Sequence, residues 1–192
     1  FRLAGMPHGL VGNKKGPGGA VSWVNDSGLN ASFSAIAPHS SMVAGGADAS
    51  KGMFTKETND FITASLGYDS ENYGGGLIYT DDDTDTSFGG GVYFRPDDNF
   101  PTISVSYDSL SDSDATDSSS LMIGLDYEVG PGTASAAYES KDTAGTTTSN
   151  YEAYYNYPIN DGVSVQGGVF VEEKSGSTQD TTGYIVETFF SF

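Results

Sequence analysis

Apolar residues in this chain recur at every second position in short runs, and no long stretch repeats with the period of a helix. The runs begin at Ala20 and are separated by clusters of Gly, Pro, Asn and Asp, which is the pattern of β-strands joined by turns. Most runs have about the 9–11 residues that a tilted strand needs to cross a bilayer. Eleven strands are predicted, at residues 20–25, 29–37, 61–69, 72–80, 87–95, 102–110, 119–128, 132–139, 150–157, 162–172 and 183–192.

The connections between these runs are predicted to alternate between short and long. The short ones are rich in turn-forming residues and lie at 25–28, 69–72, 95–101, 128–132 and 158–161. The long ones lie at 38–60, 81–86, 111–118, 140–149 and 173–182. Because consecutive antiparallel strands run in opposite directions, this alternation places all the long loops on one side, as in outer-membrane barrels.

Each run also separates an apolar face from a mixed and often polar face. In the last run Tyr184, Val186 and Phe190 share one side, because side chains alternate across a strand. Aromatic residues concentrate at both ends of the apolar faces: Tyr68, Tyr73, Phe94, Tyr127, Tyr157, Phe190 and Phe192 toward the short connections, and Tyr79, Phe88, Tyr107, Tyr138, Tyr151 and Tyr184 toward the long ones. Two such belts are typical of the two lipid–water interfaces. The pattern therefore predicts an all-β fold, an antiparallel up-and-down transmembrane β-barrel.

Composition limits the alternatives. The chain has 192 residues, a formal net charge of −18 and 36 % apolar residues. Such a mixture occurs in disordered proteins and in membrane barrels, and the regular placement of the aromatic residues favours the barrel. The acidic balance argues against nucleic acid as a partner. The absence of cysteine removes disulfides and thiolate chemistry, and no apolar run approaches the ~18 residues of a membrane helix.

The final run, Gly-Tyr-Ile-Val-Glu-Thr-Phe-Phe-Ser-Phe, resembles the closing strand of bacterial outer-membrane proteins, in which a terminal phenylalanine serves as an assembly signal. The segments Tyr-Gly-Gly-Gly-Leu-Ile-Tyr, Phe-Arg-Pro-Asp-Asp-Asn-Phe-Pro and Asn-Tyr-Pro-Ile-Asn-Asp-Gly-Val-Ser-Val are similar to the barrel of cyanobacterial outer-membrane porins of the iron-uptake and carbohydrate-porin type. The resemblance covers residues 20–192. In that family a surface-layer-homology domain precedes the barrel, and no such domain is present in this sequence.

The resemblance implies a protein of the cell outer membrane that lets small hydrophilic solutes or inorganic ions, iron among them, diffuse through a channel. It implies no catalytic site and no cofactor. The partners that it implies are outer-membrane lipid and lipopolysaccharide, the permeating solutes or ions, and further copies of the chain in a homotrimer. Two other hypotheses stay open: a surface-exposed structural or adhesive β-barrel whose acidic loops bind a partner, and, more remotely, a lipid-modifying barrel enzyme.

Because side chains alternate between the two faces of a strand, every second residue of a predicted strand is expected to face a lumen. The predicted pore-lining residues are Arg95, Asp108, Asp126, Glu152, Glu172 and Glu187, with Glu128 on the same face. A lumen lined mostly by carboxylates raises the local concentration of cations and favours their passage. The alternative is that several of these residues are solvated at a barrel rim, above all Glu128 and Glu172, which lie near strand ends.

Five glycines are expected on the inner face of three neighbouring strands, at Gly67, Gly74, Gly76, Gly89 and Gly91. Positions without side chains permit a close approach of another backbone. One hypothesis is that residues 38–60 or 1–19 fold inward against this glycine patch and narrow the pore. The simpler hypothesis is that glycine relieves crowding between the strands themselves.

Carboxylates crowd two of the predicted outer loops, at Asp81, Asp82, Asp83 and Asp85, and at Asp112, Asp114 and Asp117. Oxygen-rich clusters suit hard cations, but neither loop has the EF-hand arrangement, so a solvated acidic loop is the favoured interpretation. His8 and His39 lie in predicted loops without a partner motif, and no glycine run precedes the Lys-Ser or Lys-Thr of a phosphate loop. No metal site and no catalytic residue is predicted.

The predicted strand count is odd, whereas bacterial single-chain barrels have an even number of strands. Residues 20–192 are assigned to barrel strands, and residues 1–19 to a loop or an incomplete strand. Open sheet edges are not tolerated in lipid. The first strand therefore needs a neighbour, which is either a twelfth strand within residues 1–19 or one of several strands outside this chain. The second alternative is favoured, in a complete barrel of ~14–18 strands, the size of porins with an aqueous lumen.

Overall fold

The computed structural model describes residues 18–36, 61–81, 85–97, 99–112 and 116–191. These residues form one antiparallel sheet in which each strand pairs with its neighbours in sequence. No helix within these ranges is long and apolar enough to cross a membrane. The strands are β1 (Gly18–Val24), β2 (Leu29–Ile36), β3 (Phe61–Asp69), β4 (Tyr73–Asp81), β5 (Asp85–Phe94), β6 (Thr102–Asp112), β7 (Ser118–Val129), β8 (Gly132–Thr143), β9 (Thr146–Asn160), β10 (Val163–Lys174) and β11 (Thr181–Phe190).

The all-β, up-and-down fold predicted from the sequence is confirmed, and all eleven predicted strands are present in the predicted order. Their ends agree with the prediction to within two residues except at the end of β8 and at both ends of β9. Strand β1 begins at Gly18, slightly earlier than predicted, and residues 1–17 lie outside the described ranges.

Cross-strand pairing gives the sheet two chemically distinct faces. Direct partners share a face, so Val169 of β10 lies beside Tyr184 of β11 and Ala153 of β9. This apolar face carries both aromatic belts on the predicted sides of their strands, apart from Phe192, which lies outside the described residues. Among the described strands, the charged residues of the apolar face are Asp81, Asp142 and Glu173, all near strand ends. The opposite face, called the polar face, is rich in Ser, Thr, Gly and carboxylates.

Neighbouring rings within the aromatic belts touch one another. The centroids of Tyr68 and Tyr73 lie 5.7 Å apart across the β3–β4 hairpin. The centroids of Tyr138 and Tyr151, direct partners across β8 and β9, lie 5.1 Å apart. Tilted aromatic pairs at these distances are each worth about 0.5–1.5 kcal/mol beyond their burial, so each belt also strengthens the pairing of its hairpins.

Two sides of the sheet are distinguished by their connections. The C-terminal side, at which β11 ends, carries connections 25–28, 70–72, 95–101, 130–131 and 161–162. The loop side carries connections 37–60, 82–84, 113–117, 144–145 and 175–180. Length does not separate the two sides as the sequence predicted, because 95–101 is longer than each of the last four loop-side connections. Several loop-side connections are shorter than predicted because their strands continue beyond the length that a bilayer requires.

The sequence predicted a long loop at 140–149, and this prediction is wrong. Strand β8 continues to Thr143 and β9 begins at Thr146, so that Ala144 and Gly145 form a two-residue turn. Both have positive φ, at 56° and 74°, the conformation that matches the right-handed twist of a hairpin. The polar composition of 140–149 suggested a loop, but threonine is β-branched and is well suited to a strand.

The turn between β1 and β2 shows how the C-terminal side is fixed. Oδ1 of Asn25 accepts hydrogen bonds from the backbone N–H groups of Ser27 (2.9 Å) and Leu29 (3.2 Å). Gly28 has a φ of +91°, and a Cβ there would lie 1.9 Å from the carbonyl oxygen of Asp69. The N–H of Asp69 donates to the carbonyl of Gly28 at 3.0 Å. This turn is therefore locked against the end of β3.

We predict that Gly28→Ala destabilises the folded protein by about 1–3 kcal/mol, because alanine is strained at this φ and has no room beside Asp69. The measurement is the urea dependence of unfolding of the full-length protein in lipid vesicles. Gly19→Ala is the matched control, since nothing lies within 4 Å of a Cβ at Gly19. Equal stability of the two variants would contradict the role given to Gly28.

We also predict that arginine is tolerated differently at two adjacent positions of β7. Ile123 lies on the apolar face and Met122 on the polar face. Ile123→Arg should cost about 2–4 kcal/mol in a bilayer, the cost of a cation near the midplane on a lipid-exposed face. Met122→Arg should cost less, because its charge would lie beside Glu139, its direct partner on β8. The same unfolding measurement decides, and an equal loss at both positions would exclude a lipid-facing Ile123.

Candidate functional site

The polar face brings together the pore-lining residues predicted from the sequence. Those within strands share this face by register: Asp108, Asp126, Glu152, Glu172 and Glu187. Glu128 lies there as well, opposite Thr133. Arg95 directly follows β5 and borders a cavity that is otherwise lined by polar-face and turn residues. The strand register establishes that these residues share one face. That they line a pore stays a prediction.

Acidic residues outnumber basic ones on the polar face. The acidic residues of its described strands are Asp69, Asp85, Asp108, Asp112, Asp126, Glu128, Glu139, Glu152, Glu172 and Glu187. The basic residues are Lys141 and Lys174, both near the loop side, and Arg95 adds a cation at the C-terminal side. One sign of charge along a concave surface attracts ions of the opposite sign.

The glycine patch predicted from the sequence also lies on the polar face. Gly67, Gly76 and Gly91 are direct partners across β3, β4 and β5, and Gly74 and Gly89 flank this row. The patch is therefore real as a feature of three neighbouring strands.

Neighbouring side chains account for part of the glycine patch. A Cβ at Gly74 would lie 2.6 Å from the ring of Tyr93, and a Cβ at Gly67 would lie 2.7 Å from the side chain of Asn30. At these two positions glycine makes room for a side chain of the adjacent strand. Residues 37–60 and 1–17 lie outside the described ranges, so an inward fold of either segment stays a prediction.

Glu139 is a polar-face residue that the sequence did not single out. Its Oε1 accepts a hydrogen bond from Ser120 Oγ (2.8 Å), and its Oε2 accepts one from Asn150 Nδ2 (2.9 Å). Both carboxylate oxygens are thus occupied, and the side chain links β7, β8 and β9. Strand parity could have placed Glu139 on this face, but only the register shows which donors lie beside it.

A cavity of about 400 Å³ opens on the polar face near the C-terminal side. It extends from the 95–101 connection to the first part of β10. Its charged and aromatic lining includes Arg95, Asp97, Phe100, Asp126, Glu128 and Tyr154, together with the amides of Asn156 and Gln166. The sequence pointed to Arg95 and Asp126 individually, and it did not indicate that they border the same cavity.

Two carboxylates of the cavity are each held by one hydroxyl. Ser135 Oγ donates to Oδ1 of Asp126, and Thr133 Oγ1 donates to Oε1 of Glu128 at 2.9 Å. Each carboxylate keeps a second oxygen that accepts no hydrogen bond from a described residue. The two side chains are therefore oriented by the wall and retain capacity for a further donor.

Arg95 is positioned by the neighbouring turn. Its Nε donates to the carbonyl oxygen of Glu71 at 3.1 Å, and its guanidinium carbon lies 5.3 Å from the ring centroid of Tyr93. Its terminal nitrogens form no hydrogen bond to a described residue. The side chain is thus fixed at its base and carries donors at its end.

The acidic connections of the loop side are organised locally where they are described. Oδ1 of Asp117 accepts hydrogen bonds from Ser111 Oγ (3.2 Å) and from the N–H of Asp112 (3.1 Å). Asp82, Asp83, Asp114, His8 and His39 lie outside the described residues. Within the described ranges, no three His, Cys, Asp or Glu side chains come together as ligands for a metal ion.

An up-and-down antiparallel sheet with one apolar face, two aromatic belts and one polar face defines the wall of a transmembrane β-barrel. A model of the family described as Gram-negative porin matches residues 11–177. The chain therefore belongs to the Gram-negative porin family, whose members are non-enzymatic channels, and it is a protein of the outer membrane.

Solved structures support the same fold. The anion-selective porin from Comamonas acidovorans matches with a TM-score of 0.69 and 14 % identity, over 90 % of this chain and 58 % of that one. A variant of the Rhodopseudomonas blastica porin matches with a TM-score of 0.59 and 20 % identity, over 88 % of this chain and 53 % of that one. This chain thus spans little more than half the length of these porins. No curated protein matches it.

Proposed function

We propose that the whole protein forms a water-filled channel through which small hydrophilic solutes and inorganic ions diffuse, with a preference for cations. The observation that carries the proposal is the division of the sheet into an apolar face with two aromatic belts and a polar face with an excess of carboxylates. In a closed barrel the first face meets lipid and the second surrounds the lumen. Membership of the porin family supports the same function.

The residues that we propose to line the pore are Arg95, Asp108, Asp126, Glu152, Glu172 and Glu187. Carboxylates raise the local concentration of cations and lower that of anions. The Comamonas acidovorans porin is named as anion-selective, but at 14 % identity its likeness extends to the fold alone. The charges of this chain's own polar face therefore provide the basis for the proposed preference.

Narrower proposals follow from the resemblance of the strand and turn segments to cyanobacterial porins. They are that iron is among the permeating ions and that the protein assembles as a homotrimer. A further proposal is that residues 38–60 or 1–19 fold inward against the glycine patch and narrow the pore.

We predict that the double variant Glu152→Lys and Glu187→Lys shifts the permeability ratio toward anions by a factor of about two or more, because it replaces two lumen anions with cations. The measurement is the reversal potential of the full-length protein in planar bilayers under a salt gradient. Glu173→Lys is the control, since Glu173 lies on the apolar face near the loop side.

An equal shift in the control would show that overall charge, and not the lumen, sets the preference. A wild-type protein that inserts but conducts no ions would overturn the channel proposal. That outcome would favour the structural or adhesive barrel whose acidic loops bind a partner.

A further inference from the structure

Polar groups that lack a partner among the described residues converge in the cavity near the C-terminal side. Oδ1 of Asn156 is buried and accepts no hydrogen bond from this part of the chain. The hydroxyl of Tyr154 and the terminal nitrogens of Arg95 form none to a described residue either. Buried polar groups are nearly always hydrogen-bonded in native proteins, so the Asn156 amide, which lines the cavity, would gain a hydrogen bond by rotating its oxygen toward a donor there.

The surroundings of Glu139 show what a purely structural polar cluster looks like in the same wall. There Ser120 and Asn150 occupy both carboxylate oxygens. In the cavity, Asp126 and Glu128 each receive a single hydrogen bond, from Ser135 and Thr133. Among the described residues, acceptors on Asp126 and Glu128 and donors on Arg95 and Tyr154 thus remain without a partner in the cavity.

The charges of the cavity define the kind of solute that would complete it. On β7, Asp126 and Glu128 each keep a carboxylate oxygen, and Arg95 keeps its terminal nitrogens. Asp97, by contrast, accepts the N–H of Asn99 within the 95–101 connection. A solute complementary to Asp126, Glu128 and Arg95 carries two positive groups and one negative group. The ring of Tyr154 adds a surface that attracts cations, and a volume of about 400 Å³ lies within the range of small-molecule sites.

We propose that this cavity is a weak binding subsite for basic amino acids on the C-terminal side of the lumen. The α-carboxylate binds the terminal nitrogens of Arg95. The two positive groups bind the remaining oxygens of Asp126 and Glu128 over the ring of Tyr154, and rotation of the Asn156 amide turns its oxygen toward one of their N–H donors. The inference rests on the proposed channel, because the solute enters from the lumen.

The test uses the full-length protein in planar bilayers with L-lysine as the probe. Reversible interruptions of the open-channel current are expected in millimolar L-lysine. L-norleucine, which lacks the side-chain ammonium group, and L-glutamate, whose charge is opposite, should cause few or none. Equal interruptions by all three amino acids would overturn the subsite.

Two single-residue variants test whether L-lysine binds at the cavity or elsewhere on the polar face. Asp126→Asn keeps the oxygen that accepts from Ser135 and removes the charge, so it should fold and should weaken L-lysine binding about tenfold or more, as loss of a charge-assisted hydrogen bond does. Glu152→Gln removes the same charge from the polar face outside the cavity lining and should change binding by less than about twofold. An equal loss in both variants would show that general lumen charge, rather than this cavity, holds the probe.

Calorimetric titration of the detergent-folded protein with L-lysine separates the subsite from the channel function. A cation-preferring channel without L-lysine binding would overturn the subsite and leave the proposed function standing. L-Lysine binding that is lost in Asp126→Asn, in a protein that conducts no ions, would support the subsite and overturn the channel.

Discussion

A bilayer offers no water to backbone N–H and C=O groups, so each must find its hydrogen-bond partner within the protein. Strands β2 to β10 meet this requirement through a neighbour on either side, whereas β1 and β11 pair on one side only among the described strands. In a closed barrel, further strands would pair with these two edges. The described strands thus correspond to part of a barrel wall, which agrees with the 53–58 % of the compared porins that the chain covers.

The register of the hydrogen-bonded strands also decides which side chains share a face of the sheet. A shift of one residue would exchange the two faces of a strand, placing carboxylates against lipid. Local turn chemistry opposes such shifts: Asn25 and Gly28 fix the first hairpin, and Ala144 and Gly145 fix the hairpin of β8 and β9. Because the register keeps apolar side chains on the apolar face, most charged strand residues lie on the polar face, where they avoid the cost of a charge in lipid.

Charges on that face differ in how completely the wall satisfies them. Glu139 is enclosed by donors and holds three strands together, whereas Asp126 and Glu128 keep an oxygen for another donor. The proposed cation preference needs only the overall excess of carboxylates. The subsite that we propose beside Arg95 would add a discrete place at which a permeating solute binds.

The sequence by itself determined the strand order, the face of the residues it singled out within strands, and the aromatic belts, because a period of two relates position directly to side. It placed Asp126 and Glu187 on one face for that reason, and the register puts both on the polar face. It misjudged 140–149, since polar composition could not reveal that Ala144 and Gly145 adopt positive φ. Only the tertiary structure brought Arg95 and Asp126 to one cavity, because residues on different strands become neighbours through the register and curvature of the whole sheet.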